Sequence, residues 1–141
     1  WFLEKATEIG IDEITPIICS RSERKVIKTE RCNKILLSAM KQSLKFHLPK
    51  LNEAISFKEF ANQNFEGRKY IAHCEKSDKL KLRKENAAEE TLILIGPEGD
   101  FSTTEIEMAL QNQFKAVSLG TSRLRTETAG IVAVHTININ N

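Results

Sequence analysis

Residues 92 to 102 read Leu-Ile-Leu-Ile-Gly-Pro-Glu-Gly-Asp-Phe-Ser, and this run constrains the fold more than any other stretch of the chain. Four consecutive apolar residues, two of them β-branched, read as a buried strand. The Gly-Pro-Glu-Gly that follows is a turn whose glycines let the backbone approach something closely. Ser102-Thr103-Thr104-Glu105 then has the capping-box pattern, in which hydroxyl and carboxylate satisfy the orphan N–H groups at a helix start. The pattern recurs downstream as an apolar strand around Val117, a glycine turn at Gly120, and the run Leu124-Arg125-Thr126-Glu127-Thr128-Ala129 leading into a second apolar helix. Two such loops at the ends of neighbouring strands would form one cleft.

The rest of the chain alternates helix and strand patterns. Residues 2–9 read as a helix ended by Gly10, and 13–19 as a strand that Pro16 places at an edge or a bend. A longer helix is expected over about 30–45, finishing before Pro49. Ser56 caps a short helix to Asn62, residues 69–73 form a strand, and 85–90 end a connecting helix. Strands at 91–95 and 116–119 and helices at 102–111 and 126–139 complete the series, with 76–84 read as a charged loop. The implied class is α/β, a mostly parallel sheet with helices on both faces, in one domain over residues 1–141. Periodicity alone favours an unknotted doubly wound sheet, because threaded chains are rare.

Charge distribution says more than net charge. The chain carries a formal +2, yet residues 21–50 hold nine basic and two acidic side chains, leaving the remainder acidic. Such segregation suits a surface that meets phosphates, and a solvated helix face is the plainer reading. Lys34, Lys41 and Lys45 share one helical stripe, while Leu36, Met40 and Leu44 line another. No apolar run approaches the ~20 residues of a membrane span, and no signal peptide is visible. Cys19, Cys32 and Cys74 lack metal-ligand spacing and read as reduced core thiols of a cytoplasmic protein. His47, His73 and His135 have no triad or metal partners in sequence, and no metal site is expected.

The two loop blocks together resemble the ribosomal RNA small-subunit methyltransferase E family of the SPOUT class. Lys5-Ala6-Thr7-Glu8-Ile9-Gly10, the Arg21-Ser22 step and the Gln42-Ser43 pair are similar to further blocks of that family, so the resemblance spans nearly the whole chain. It implies a C-terminal trefoil knot, against the prior from periodicity, and an N-terminal PUA-like RNA-binding domain that this chain does not contain. It also implies S-adenosylmethionine as cofactor, a uridine N3 in 16S ribosomal RNA of the small subunit as acceptor, and a homodimer.

By that resemblance the pocket loops follow His73, span Ile95, Gly96, Pro97, Glu98 and Gly99, and run from Leu119 and Gly120 to Leu124 and Thr126. The acceptor imide must lose a proton, so a guanidinium that stabilises the anion and a carboxylate that takes the proton are wanted. Arg125 and Glu127 form the available pair, with Arg21 a second candidate; a capping or interface ion pair competes with that role. Arg21, Lys34, Lys41, Gln42, Ser43 and Lys45 are the RNA-binding candidates. Thr126 and Thr128 read more naturally as caps than as catalysts.

The chain departs from the family pattern at Asp100, where glycine is usual, at Lys41, and at Leu44-Lys45 in place of Gly-Arg. A ribose 2′-O-methyltransferase of the same class and a non-catalytic RNA-binding domain remain open as alternatives. A nucleotide-phosphate enzyme is disfavoured, because no G-x-x-x-x-G-K-[ST] loop is present.

Overall fold

The computed structural model describes residues 1–22, 28–45, 47–74, 79–82, 90–120 and 123–138. Its centre is a four-stranded sheet of β5 (Arg68–Ala72), β6 (Leu80–Lys81), β7 (Thr91–Ile95) and β8 (Lys115–Ser118), ordered β6-β8-β5-β7. Every pairing is parallel. Ahead of it stand two short parallel pairs: β1 (Glu13–Ile14) with β3 (Lys50–Leu51), and β2 (Ile17–Ile18) with β4 (Ile55–Ser56). The helices are α1 (Phe2–Ile9), α2 (Thr29–Gln42), α3 (Phe57–Ala61), α4 (Thr103–Gln111) and α5 (Thr126–Asn138).

Strand alternation sorts the sheet residues onto two faces. Ile71 and Leu94 pack with Phe57, Phe101, Ile106, Ala109 and Phe114 of the α3 and α4 side. Tyr70 and Val117 pack on the other face with Ala133 of α5, against Ile93, Ile95 and Leu119. Both faces are thus covered, as an α/β sheet requires. The Phe57 and Phe101 rings meet at 5.5 Å between centroids, and Phe101 is fully buried, so it anchors the loop that leaves β7.

The helix starts follow local chemistry. Ser56 accepts from Glu59 N–H, and Ser102 forms the full capping box with Glu105. Gly130 in α5 is a close-approach glycine, since a Cβ there would lie 2.5 Å from the Phe2 ring of α1.

Several expectations change. The strand over 13–19 is broken into β1 and β2, because Pro16 between them has no N–H for a ladder. The helix expected to reach residue 45 stops at Gln42, and Leu44 turns out at φ 57 with 81% exposure rather than joining the Leu36 stripe. Residues 80–81 of the supposed charged loop form β6, and Leu82 beside them is buried in the core. Only Cys19 is a core thiol, for Cys32 is half-buried and Cys74 exposed. The helix end expected at 85–90 lies outside the described residues apart from Glu90, which is neither helix nor strand.

The turn into β5 supplies a prediction. Gly67 has φ 140, and a Cβ there would stand 2.4 Å from the Glu90 carbonyl oxygen, which also accepts Arg68 N–H. Gly67→Ala should therefore lower unfolding stability by about 2 kcal/mol or more in a urea titration. A stability equal to wild type would contradict the close approach.

Candidate functional site

The C-terminal ends of β5, β7 and β8 all point the same way, so the loops that follow them gather at one end of the sheet. β7 and β8 are not the neighbouring strands expected from sequence, because β5 separates them. Their loops are joined instead by a side chain: Thr126 Oγ1 donates to the Gly96 carbonyl at 2.8 Å. Thr126 therefore bridges the two blocks rather than capping α5 with its hydroxyl.

A turn from the front of the chain completes the cluster. Ser22 Oγ accepts Cys19 N–H at 2.9 Å, and Ser20 N–H donates to Glu105 Oε2 at 3.0 Å. Between these ties Arg21 reaches over the β7 loop and donates through Nη1 to the Gly99 carbonyl at 2.9 Å. A Cβ at Gly99 would meet Arg21 Cβ at 3.2 Å and Cδ at 3.3 Å, so Gly99 is the seat of this arginine rather than an open face for a ligand.

The three loop glycines thus have different reasons. Gly96 is buried, and a Cβ there would crowd Asp100 Oδ1 and the Phe101 ring at 3.2 Å. Gly120 has φ 136 and is exposed, and among the described residues nothing lies within 4 Å of an added Cβ, which sets it apart from Gly96 and Gly99. Leu119 packs at the edge of the α5-side core, while Leu124 and Pro97 are half-buried and Glu98 is exposed. His73 is buried at the end of β5, and its carbonyl accepts from Lys79 Nζ.

Arg125 and Glu127 are both exposed at the start of α5, and among the described residues no ion pair joins them. The Arg125 carbonyl accepts Ala129 N–H at 2.8 Å, which makes Arg125 the residue that opens the helix. Lys34, Lys41 and Lys45 are all exposed, but the expected stripe holds only Lys34 and Lys41, because α2 ends at Gln42 and Lys45 lies beyond it; Lys34 is 4.0 Å from Glu30 one turn earlier. Gln42 beside them is exposed, whereas the Ser43 hydroxyl donates to the Ala39 carbonyl at 2.7 Å and so caps α2. A groove of about 560 Å³ beside β1, β4 and α3 is lined by Glu13, Glu53 and Glu59, a charge that repels phosphate.

Glu105 is the residue that sequence reasoning undervalued. Its capping role is legible, because Ser102 N–H donates to Oε1 at 2.9 Å. Its second role spans 85 positions, as Ser20 N–H and Oγ both reach the same buried carboxylate. No local signal announces that contact. Glu105 also raises the Cys19 thiol: burial and then the neighbouring carboxylate push its pKa up to about 12, against a smaller downward pull from Ser22.

A family described as an RNA methyltransferase domain matches residues 1–138, and the chain belongs to that family. It is 29% identical over 140 residues to a ribosomal RNA small subunit methyltransferase E of Rickettsia conorii, covering 97% of this chain and 57% of that relative. The crystal structure of a probable rRNA-methyltransferase from Porphyromonas gingivalis superposes with a TM-score of 0.85 at 44% identity, covering 98% of this chain and 61% of that one. A ribosomal RNA small subunit methyltransferase E of Neisseria gonorrhoeae, solved bound to S-adenosyl methionine, gives a TM-score of 0.80 at 31% identity, over 94% of this chain and 56% of that one. The chain spans a little over half the length of these relatives. Among the described residues no helix is long and apolar enough to cross a membrane, and no cluster could hold a metal ion.

The raised Cys19 pKa gives a test of where Glu105 lies. A raised thiol pKa keeps Cys19 neutral, so its contribution to stability is intact below the unfolded thiol value and is lost as pH rises toward 12. In pH-dependent alkylation read by mass spectrometry, exposed Cys74 should be modified while buried Cys19 stays protected. Glu105→Gln should shift the Cys19 titration downward. An unchanged Cys19 titration in that variant would remove Glu105 from its side.

Proposed function

We propose that the protein transfers a methyl group from S-adenosylmethionine to N3 of a uridine in 16S ribosomal RNA, acting in the cytoplasm as a homodimer. The single observation that carries this reading is the Thr126–Gly96 hydrogen bond, which joins the two methyltransferase-like blocks at one end of the sheet. The family match, and relatives named small subunit methyltransferase E, support the reaction and the RNA. The Neisseria gonorrhoeae structure, solved with S-adenosyl methionine, supports the cofactor.

The residues present fit such a group. Gly120 offers open backbone, and half-buried Leu119, Leu124, Ile95 and Pro97 offer apolar walls near main-chain donors and acceptors. S-adenosylmethionine, when bound, supplies a methyl already activated on a sulfonium. The chain is left to orient the acceptor and manage one proton. Arg125, exposed at the helix start, suits stabilisation of the uridine anion, and Glu127 two residues on suits acceptance of the imide proton. Arg21, tied to Gly99, is positioned to hold the RNA beside the same loop. Exposed Lys34 and Lys41 on α2, with exposed Lys45 just past its end, supply phosphate contacts at the flank.

The knot belongs to the same proposal. Ala72 and Leu80 flank Val117 in a single row of the sheet, so β8 lies between two strands that the chain had already joined. A trefoil needs such a later strand placed between two earlier ones, and this strand order is consistent with it.

The test is methyl transfer from labelled S-adenosylmethionine to small ribosomal subunits lacking the modification, followed by nucleoside analysis. The expected product is 3-methyluridine; a 2′-O-methylated ribose or no label would contradict the reading. Arg125→Ala should lower transfer by about a hundredfold or more while cofactor affinity changes by less than about threefold. Equal loss of both would move Arg125 from the acceptor to the cofactor.

A further inference from the structure

Asp100 breaks the glycine pattern of the β7 loop, and its geometry gives a reason. Its φ of 65 lies in the left-handed region that glycine fills without cost and that aspartate and asparagine tolerate best among other residues. Its N–H donates to the Pro97 carbonyl at 2.8 Å, closing a turn across Pro97, Glu98 and Gly99. Its carboxylate then reaches out of the loop, where Oδ2 accepts Cys74 N–H at 2.9 Å. Cys74 is the second residue after β5. A glycine here would keep the turn and lose the link.

We propose that Asp100 is a positioning residue that clasps the chain leaving β5 to the β7 loop, and so fixes the separation of two walls of the cofactor pocket. The consequence for cofactor rests on the pocket reading given above. The clasp itself rests only on the two loops. A competing role is electrostatic, for a carboxylate two residues before the Ser102 cap also favours the positive end of α4. Substitutions separate the two. Asparagine keeps the left-handed backbone and an acceptor oxygen without the charge; glycine keeps the backbone and loses both.

The experiment compares wild type, Asp100→Asn and Asp100→Gly by amide hydrogen exchange at Cys74 and by calorimetric affinity for S-adenosylmethionine. Cys74 should exchange about threefold or more faster in Asp100→Gly, and stay within about twofold of wild type in Asp100→Asn. Cofactor affinity should follow the same order, weakened in the glycine variant and retained by asparagine. Unchanged Cys74 exchange in Asp100→Gly overturns the clasp, and so does an asparagine variant that behaves like glycine, which would assign the effect to charge. Faster exchange with unchanged cofactor affinity overturns the link to the pocket. A wild-type protein that binds no S-adenosylmethionine defeats the pocket reading alone, since the exchange series still decides the clasp.

Discussion

A parallel ladder puts the exits of its strands at one end, and everything distinctive about this protein follows from which strands share that ladder. β5 lies between β7 and β8, with Ala72 level with both Ile95 and Val117. Three loops therefore leave the sheet within one strand spacing, or roughly 5 Å, of the central one. The apolar layers on either face hold that register. Shifting any strand by one residue would exchange the Ile71 and Leu94 set for the Tyr70 and Val117 set.

On this frame the loops are fixed by a few polar ties rather than by bulk. Thr126 to Gly96, Asp100 to Cys74 and Arg21 to Gly99 each join segments far apart in sequence. A neutral bond of this kind contributes about 1 kcal/mol, and those to charged groups somewhat more where water is excluded. Glu105 is the most deeply placed of the anchors. Its buried carboxylate takes donors from Ser20 and from Ser102, so the turn bearing Arg21 and the start of α4 are held by one group. Loops held this way remain close to the surface and leave Gly120 exposed, which suits the nucleoside site proposed there.

Much of this was legible because it is local. The Ser102–Glu105 box, the Ser56 cap, the Gly10 helix stop and the runs that become β5, β7 and β8 all depend on residues a few positions apart. What escaped was set by distant partners. Two-residue β6 has no periodicity to detect, and Leu80 and Lys81 become a strand only because β8 lies beside them. Gly99 reads as an open turn glycine until Arg21, 78 positions earlier, is found packed on it. Thr126 looked like a cap because that is the commonest use of threonine at a helix start, whereas its hydroxyl spans to Gly96. Asp100 was visible only as an exception, since a left-handed backbone cannot be read from a single residue type.

The central claim is that the gathered loops form one pocket for S-adenosylmethionine. Calorimetric titration of the folded protein with S-adenosylmethionine, beside ATP as a control, tests it without RNA. The account predicts saturable binding at about one molecule per chain, with ATP silent. Absence of binding by a folded sample, or equal binding of ATP, would contradict it.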